Sequence, residues 1–288
     1  MVGTVRNASN NVRTDLLKIV DSLDKLLPTS AFVIESDSED STISELEKLS
    51  QIDSRIQFVS LGRLEGQIPD RIERLRHCRN VYIAEIRENP VYKECDLIIV
   101  ADLDGINTKI SSEHIEFALS STFMWDALTA NQSARYYDLL ALRHPLWSPN
   151  NWLIESAWFS QFLGKRKAQR HSMTDRMIRI PKHLPPIPVD SAFGGLAIYR
   201  KWVFESSDYT CDSEESREEN EHVTFHRKIK ALGAQIYIHP GLINAHWTVH
   251  SLGGTPFVRT FKHVSKFWPI NLFLPILRKL TPKIAKNY

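Results

Sequence analysis

Residues Leu97–Ala101 read Leu-Ile-Ile-Val-Ala, and the run stops on two aspartates one residue apart, Asp102 and Asp104. An uninterrupted apolar run of this length, rich in β-branched residues, is the pattern of a strand covered on both faces. Such strands belong to parallel sheets flanked by helices. Open α/β sheets bind their ligands beyond the carboxyl ends of their strands, which is where Asp102 and Asp104 fall. Two carboxylates there form a hard, anionic oxygen site suited to Mg2+ or Mn2+ with a bound diphosphate, because both metals favour oxygen ligands and leave positions open for phosphate. The competing reading is structural: one aspartate caps the next helix and the other is solvated.

The remaining pattern fits an α/β chain of 288 residues, large enough for a full core. A helix is expected near residues 12–27, a strand at Ala31–Glu35, and a helix from Thr42, whose spacing to Glu45 is that of a capping box. A short strand at Gln57–Leu61 and a helix from Asp70 to Glu88 lead into the Asp-Leu-Asp strand. Beyond it come a strand near Trp125–Thr129, a loop-rich stretch with several tryptophans, and a helix near Ser156–Gln169. A proline-rich connector enters Ser191–Arg200, and a helix near Val223–Leu232 precedes a strand at Gln235–His239.

Charge is unevenly placed. No Asp or Glu follows Glu221, whereas ten Lys and Arg residues do; with a formal charge of +2 overall, residues 1–221 carry an excess of eight negative charges. Cys78, Cys95 and Cys211 are too few and too widely spaced for a disulfide framework or a zinc site, so a reducing compartment is expected. Charged residues break the Leu-Leu-Lys-Ile-Val stretch near the start, which reads as an amphipathic helix and not as a signal peptide; no spanning segment is expected. From Phe257 onward, aromatic and aliphatic residues are interleaved with lysines and arginines. That tail, 257–288, suits an anionic membrane surface, or else packs as an ordinary C-terminal helix. Nucleic acid is not expected, since no recognition module accompanies the basic residues.

Four landmarks recur in order: Asp102-Leu103-Asp104, Gly194-Gly195, Glu221-His222, and Asn244-Ala245-His246-Trp247. Together they resemble the DxD motif, glycine loop, acidic pair and late histidine of GT-A fold nucleotide-sugar glycosyltransferases. The segments Phe32–Thr42 and Arg71–Asn80 resemble the donor-binding half of such enzymes, especially those related to the capsule and Golgi mannosyltransferases. The resemblance covers roughly residues 30–250 and implies a mostly parallel Rossmann-like sheet flanked by helices, with a GT-A-like domain over residues 1–256. It also implies metal ligation by Asp102, Asp104 and His246, with His239 and His250 as competing histidines. Donor contacts fall on Glu35, Asp37, Arg71, Arg79, Asn80 and Asp102, a sugar loop on Gly194 and Gly195, and catalytic roles on Glu221 and His222. A UDP- or GDP-sugar would be the donor, and a glycan or lipid-linked molecule the acceptor, with the tryptophans and the Lys165-Arg166-Lys167 cluster of residues 145–188 shaping its site. The setting would be cytoplasmic, peripheral at the inner face of the membrane. One departure bears on mechanism: His222 stands where inverting members carry an aspartate base, while retaining members need none.

Two other readings stay open. Ile-Val-Ala-Asp-Leu-Asp-Gly-Ile also resembles the nucleophile motif of haloacid-dehalogenase-type phosphatases, although about a hundred residues precede it and no acidic pair follows a later strand. A catalytically inactive sugar-nucleotide or glycan-binding module is the third.

Overall fold

A computed structural model describes residues 1–211 and 218–246. In chain order the elements are β1 Val2–Val5, α1 Val12–Asp24, β2 Ala31–Glu35, α2 Thr42–Ile52, β3 Ile56–Ser60, α3 Arg71–Glu88, β4 Leu97–Ala101 and α4 Ser112–Leu119. They continue with β5 Ala127–Gln132, α5 Trp152–Leu163, α6 Lys165–Ser172, β6 Ile187–Pro188, β7 Leu196–Arg200, α7 Trp202–Ser206, α8 Glu221–Ala231 and β8 Ile236–Ala245. The strands form one sheet in the order β3-β2-β1-β4-β7-β5-β8-β6, parallel except at β7 and β6. A mostly parallel sheet with helices on both faces is what the GT-A resemblance implies, and it is what the chain adopts.

Side chains alternate across each strand, and the two faces feed two separate cores. Phe32, Ile34, Ile98, Val100, Ala197 and Tyr199 pack on one side with Tyr82, Ile83 and Ile86 of α3 and Phe225 and Ile229 of α8. Ala31, Val33, Ile99, Ala101, Leu196 and Ile198 pack on the other with α1, through Val12, Leu16, Ile19, Val20 and Leu23, and with Leu46 and Leu49 of α2. Burial on both faces explains why β4 has no polar residue until Asp102.

Several expectations are corrected. β1 and α4 were not anticipated, yet β1 is an interior strand of the sheet, paired with β2 and β4. Thr42 forms no capping box; it begins α2, and its hydroxyl accepts the Ala8 amide at 2.8 Å. The single helix expected near 156–169 is two helices, because Gly164 takes φ +75° and breaks the chain between α5 and α6. β8 runs to Ala245 and not to His239: Pro240 and Gly241 read as breakers but sit within register shifts against β5, where a bulge absorbs them.

The parallel strands end on one edge, and antiparallel β7 begins there, with Leu196 opposite Ala101. The turn after β4, Gly194-Gly195 before β7, Gln132 ending β5 and Asn244 near the end of β8 therefore share that edge.

Candidate active site

The Asp102–Asn107 turn is held from two sides. The Asp102 amide donates to the Gly195 carbonyl at 3.0 Å, tying the turn to the glycine loop. Asn11, just before α1, donates from Nδ2 to the Asp104 carbonyl at 3.0 Å, and Asp15 of α1 accepts the Gly105 amide at 2.7 Å. Asp15 is buried, which pushes its carboxyl up to about 6 against the Gly105 amide, while Asp104 adds in the same direction. With its backbone fixed, the turn leaves the Asp104 side chain exposed and a third of the Asp102 side chain open.

Behind the turn lie three buried carboxamides. Asn107 Nδ2 donates to the Asp102 and Gly195 carbonyls at 2.7 and 3.2 Å. Asn244 Nδ2 donates to Asn107 Oδ1 at 2.9 Å and to the Gly194 carbonyl at 2.8 Å. Gln132 Nε2 donates to the same carbonyl and to Asn244 Oδ1, both at 3.0 Å. Buried amides of this kind hold segments in register because each lost partner leaves a costly unsatisfied group. Gly194 and Gly195 have φ of +71° and +85°, and a Cβ on Gly194 would lie 2.6 Å from the Ala130 carbonyl oxygen. Asp138 Oδ2 accepts the Gly194 amide at 2.9 Å and completes the frame.

The site's charges converge on Arg79. This guanidinium, 2% exposed, lies 3.6 Å from Asp102 and 3.2 Å from Glu221, between the rings of Phe193 and Tyr209 at 5.6 and 5.5 Å. Desolvation pushes the Asp102 carboxyl up to about 8; Arg79 opposes the shift, while Asp104, Glu221 and Asp138 reinforce it. A carboxylate whose ionisation is opposed by three like charges sits where added positive charge is favourable.

Glu221 and His222 open α8, where Asn220 caps the helix by accepting the His222 amide at 3.0 Å. Both side chains lie behind the surface, 3% and 2% exposed. His222 stacks on Phe193 with ring centroids 3.8 Å apart, its Nε2 lies 3.7 Å from Glu221 Oε1, neither ring nitrogen has a hydrogen-bond partner among the described residues, and burial followed by the charge of Arg79 holds it well below the usual histidine range. Glu221 and His222 thus contact Arg79 and Phe193 from behind the surface.

The donor-side residues are spread more widely. Glu35 is fully buried and accepts from the Ser38 amide at 2.9 Å and from the Ser60 hydroxyl, so it shapes its loop and presents no carboxylate to solvent. Asp37, at φ +58°, accepts the Leu64 and Glu65 amides, each at 2.8 Å, and lies 3.6 Å from Arg74; its carboxyl is held low because these bonds and Arg74 outweigh desolvation. Asn80 Oδ1 accepts the Tyr209 amide at 2.8 Å. Arg71 is exposed in the first turn of α3, about 12 Å along the helix from Arg79. The structure therefore brings Arg79, Asp102, Gly194, Gly195, Glu221 and His222 together, with Arg71 at the far start of α3 and the Asp37 loop meeting α3 at Cys78 through the Ser36 hydroxyl, 3.5 Å from its Sγ.

Among the described residues no three His, Cys, Asp or Glu side chains group to hold a metal by themselves. Of the expected trio, Asp102 and Asp104 share the turn after β4. His246 follows β8, whose Asn244 carbonyl accepts the Lys109 amide at 2.7 Å from the loop after β4. It is exposed, its Nδ1 is 2.6 Å from the Ser133 hydroxyl, and burial, then Lys109 and Arg179, lower its pKa. His239 is buried against Phe117; Trp247, His250 and the tail lie outside the described residues. The Asp102–Asp104 pair still fits Mg2+ or Mn2+ that takes its other ligands from phosphate, since both are oxygen donors in an over-acidic corner. Asn107, Gln132 and Asp138 were not identified as site residues from the sequence. They carry no local pattern, and only the sheet order brings them together.

No protein-family model and no curated protein matches the chain. Among solved structures it is similar to a mannosyltransferase from Pyrobaculum calidifontis in complex with GDP-Man and Mn2+, at 13% identity and a TM-score of 0.48 over 85% of this chain and 55% of that one. Glucosyl-3-phosphoglycerate synthase from Mycobacterium tuberculosis in complex with UDP gives 13% and 0.38, over 85% of this chain and 68% of that one. S. aureus TarS 1–349 in complex with UDP-GlcNAc gives 13% and 0.43, over 82% and 54%. The chain thus spans about half the length of the first and third. With TM-scores below 0.5, none of the three decides what this chain does.

Proposed function

We propose that the chain is a metal-dependent glycosyltransferase that moves a sugar, mannose by its family resemblance, from a UDP- or GDP-sugar to a glycan or lipid-linked acceptor in surface polysaccharide or glycoconjugate synthesis. The observation that carries this reading is the bracing of the Asp102–Asp104 turn against Gly194-Gly195 by buried amides, with surplus negative charge at the turn. Asp104, on the exposed side, and Asp102 would hold Mn2+ or Mg2+, which supplies charge stabilisation to the departing nucleoside diphosphate. Gly194 and Gly195 let backbone approach the donor sugar, and Asp138 fixes that loop through the Gly194 amide. Arg79 keeps Asp102 in place while Glu221 and Phe193 keep Arg79 in place. With Glu221 and His222 buried, a retaining course, which needs no base at that position, is the one these residues support.

No helix among the described residues is long and apolar enough to cross a membrane. A peripheral placement at the cytoplasmic face is part of the proposal. The test is product analysis: with UDP- or GDP-sugar and Mn2+, the protein releases nucleoside diphosphate and joins the sugar to an acceptor, or slowly to water, and leaves phosphomonoesters intact. Release of inorganic phosphate from a phosphomonoester, lost in Asp102→Asn, would make it a phosphatase. Nucleotide-sugar binding without turnover would make it a binding module.

A further inference from the structure

α5 is a twelve-residue helix with no buried residue. Its inward stripe, Trp152, Glu155, Ser156 and Phe159, is half-covered, while Ile154, Trp158 and Phe162, four residues apart, form a continuous outer stripe at 61, 55 and 68% exposure. Leu153 and Leu163, elsewhere on the helix, are 50 and 43% exposed, and Leu146 just before it is 92% exposed. This is a fixed surface. Trp147 Nε1 donates to the Arg176 carbonyl at 2.7 Å, Arg176 pairs with Glu155 at 2.6 Å, and Phe159 meets the His171 ring of α6 edge-on at 4.8 Å. α6, turned back at Gly164, exposes Lys165, Arg166, Lys167 and Arg170. Glu155, already paired with Arg176, is the one acidic residue between positions 146 and 172.

We infer that the α5–α6 hairpin docks the protein on an anionic lipid bilayer, α5 lying in the interface plane with Ile154, Trp158 and Phe162 among the acyl chains and α6 meeting the phosphate headgroups. At about 18 Å, α5 is too short to span and of a length to lie flat. Aromatic and aliphatic residues on one helix with basic residues on the next match the layering of an anionic membrane surface, apolar beneath and negative at the headgroups. A glycan platform would pair its aromatics with hydrogen-bonding groups, which Ile154, Leu153 and Leu163 do not offer. The inference is independent of the donor chemistry and separate from the basic tail at 257–288.

The test floats the full-length protein with vesicles of equimolar phosphatidylglycerol and phosphatidylcholine, and with pure phosphatidylcholine vesicles, at low and high salt. Wild type should bind the anionic vesicles, lose them with rising salt, and ignore the neutral ones. W158S/F162S and, separately, K165E/R166E/K167E should each weaken binding at least ~10-fold with unchanged melting temperature and unchanged nucleoside diphosphate binding. Should the apolar double variant melt lower, the charge reversal on exposed α6 decides alone. Wild-type-like binding by the charge-reversed protein, or no vesicle binding by wild type, overturns the inference. So does light scattering that shows a wild-type dimer converted to monomer by W158S/F162S without lipid, since the face would then be an interface between copies.

Discussion

Arg79 is the residue on which the site's electrostatics turn. Desolvated among Phe193, Tyr209 and Tyr82, it faces Asp102 and Glu221, so replacing it with leucine leaves two carboxylates in one corner with their shared cation gone. Breaking a buried pair in this way costs about 3–5 kcal/mol, and Arg79→Leu should lower the urea unfolding free energy by that order. Adding Glu221→Leu should restore part of it, because the second uncompensated charge is then removed; a double variant no more stable than Arg79→Leu would show that Glu221 is not the coupled partner. Gly194 makes a second residue-scale case. Alanine there would hold a left-handed φ of +71° and place Cβ 2.6 Å from the Ala130 oxygen. The backbone alone costs about 1–2 kcal/mol, and the close approach adds to it, so Gly194→Ala should lower the melting temperature and lose sugar transfer. Wild-type transfer by Gly194→Ala would remove the loop from the site.

At the scale of elements, α8 is pinned to the sheet by His226, which is fully buried with Nδ1 2.9 Å from the Ser191 hydroxyl and Nε2 2.9 Å from the Tyr199 hydroxyl. Burial, then Lys230, pushes its imidazole down to about 3. A histidine whose folded pKa is depressed contributes stability that is present above about 6.5 and is lost as pH falls toward 3. Between pH 7.5 and 5 the loss from this group should be about 2 kcal/mol, and His226→Gln should flatten the decline by that amount in denaturant titrations. A variant with the wild-type slope would place the titration elsewhere. Elements carried by dense local pattern were legible in the sequence: β2 exactly, β4 because both its faces are buried, and α3 because Asp70 caps it. β1, with four residues at the start of the chain, gave too short a signal, and the far half of β8 was hidden because a bulge tolerates Pro240 and Gly241. Asp102, Asp104, Gly194 and Gly195 were legible as landmarks. The Asn107–Asn244–Gln132 contacts that unite them span up to 137 residues of sequence, and no local period encodes such a pairing.

Across the whole molecule, acidity is concentrated before residue 222 and basicity after it. Within Met1–Thr248, Asp102, Asp104, Asp138 and Glu221 gather at the β4 edge, a surplus of negative charge suited to a cation that brings a diphosphate with it. The binding of that pair is the central claim, and calorimetric titration of UDP and GDP into the protein with Mn2+ and with EDTA tests it most directly. One of the two nucleotides should bind at least ~10-fold more tightly with Mn2+, and Asp104→Asn should lose that gain while keeping the wild-type melting temperature. Equal affinity in Mn2+ and EDTA, or undiminished Mn2+-dependent binding by Asp104→Asn, would contradict it.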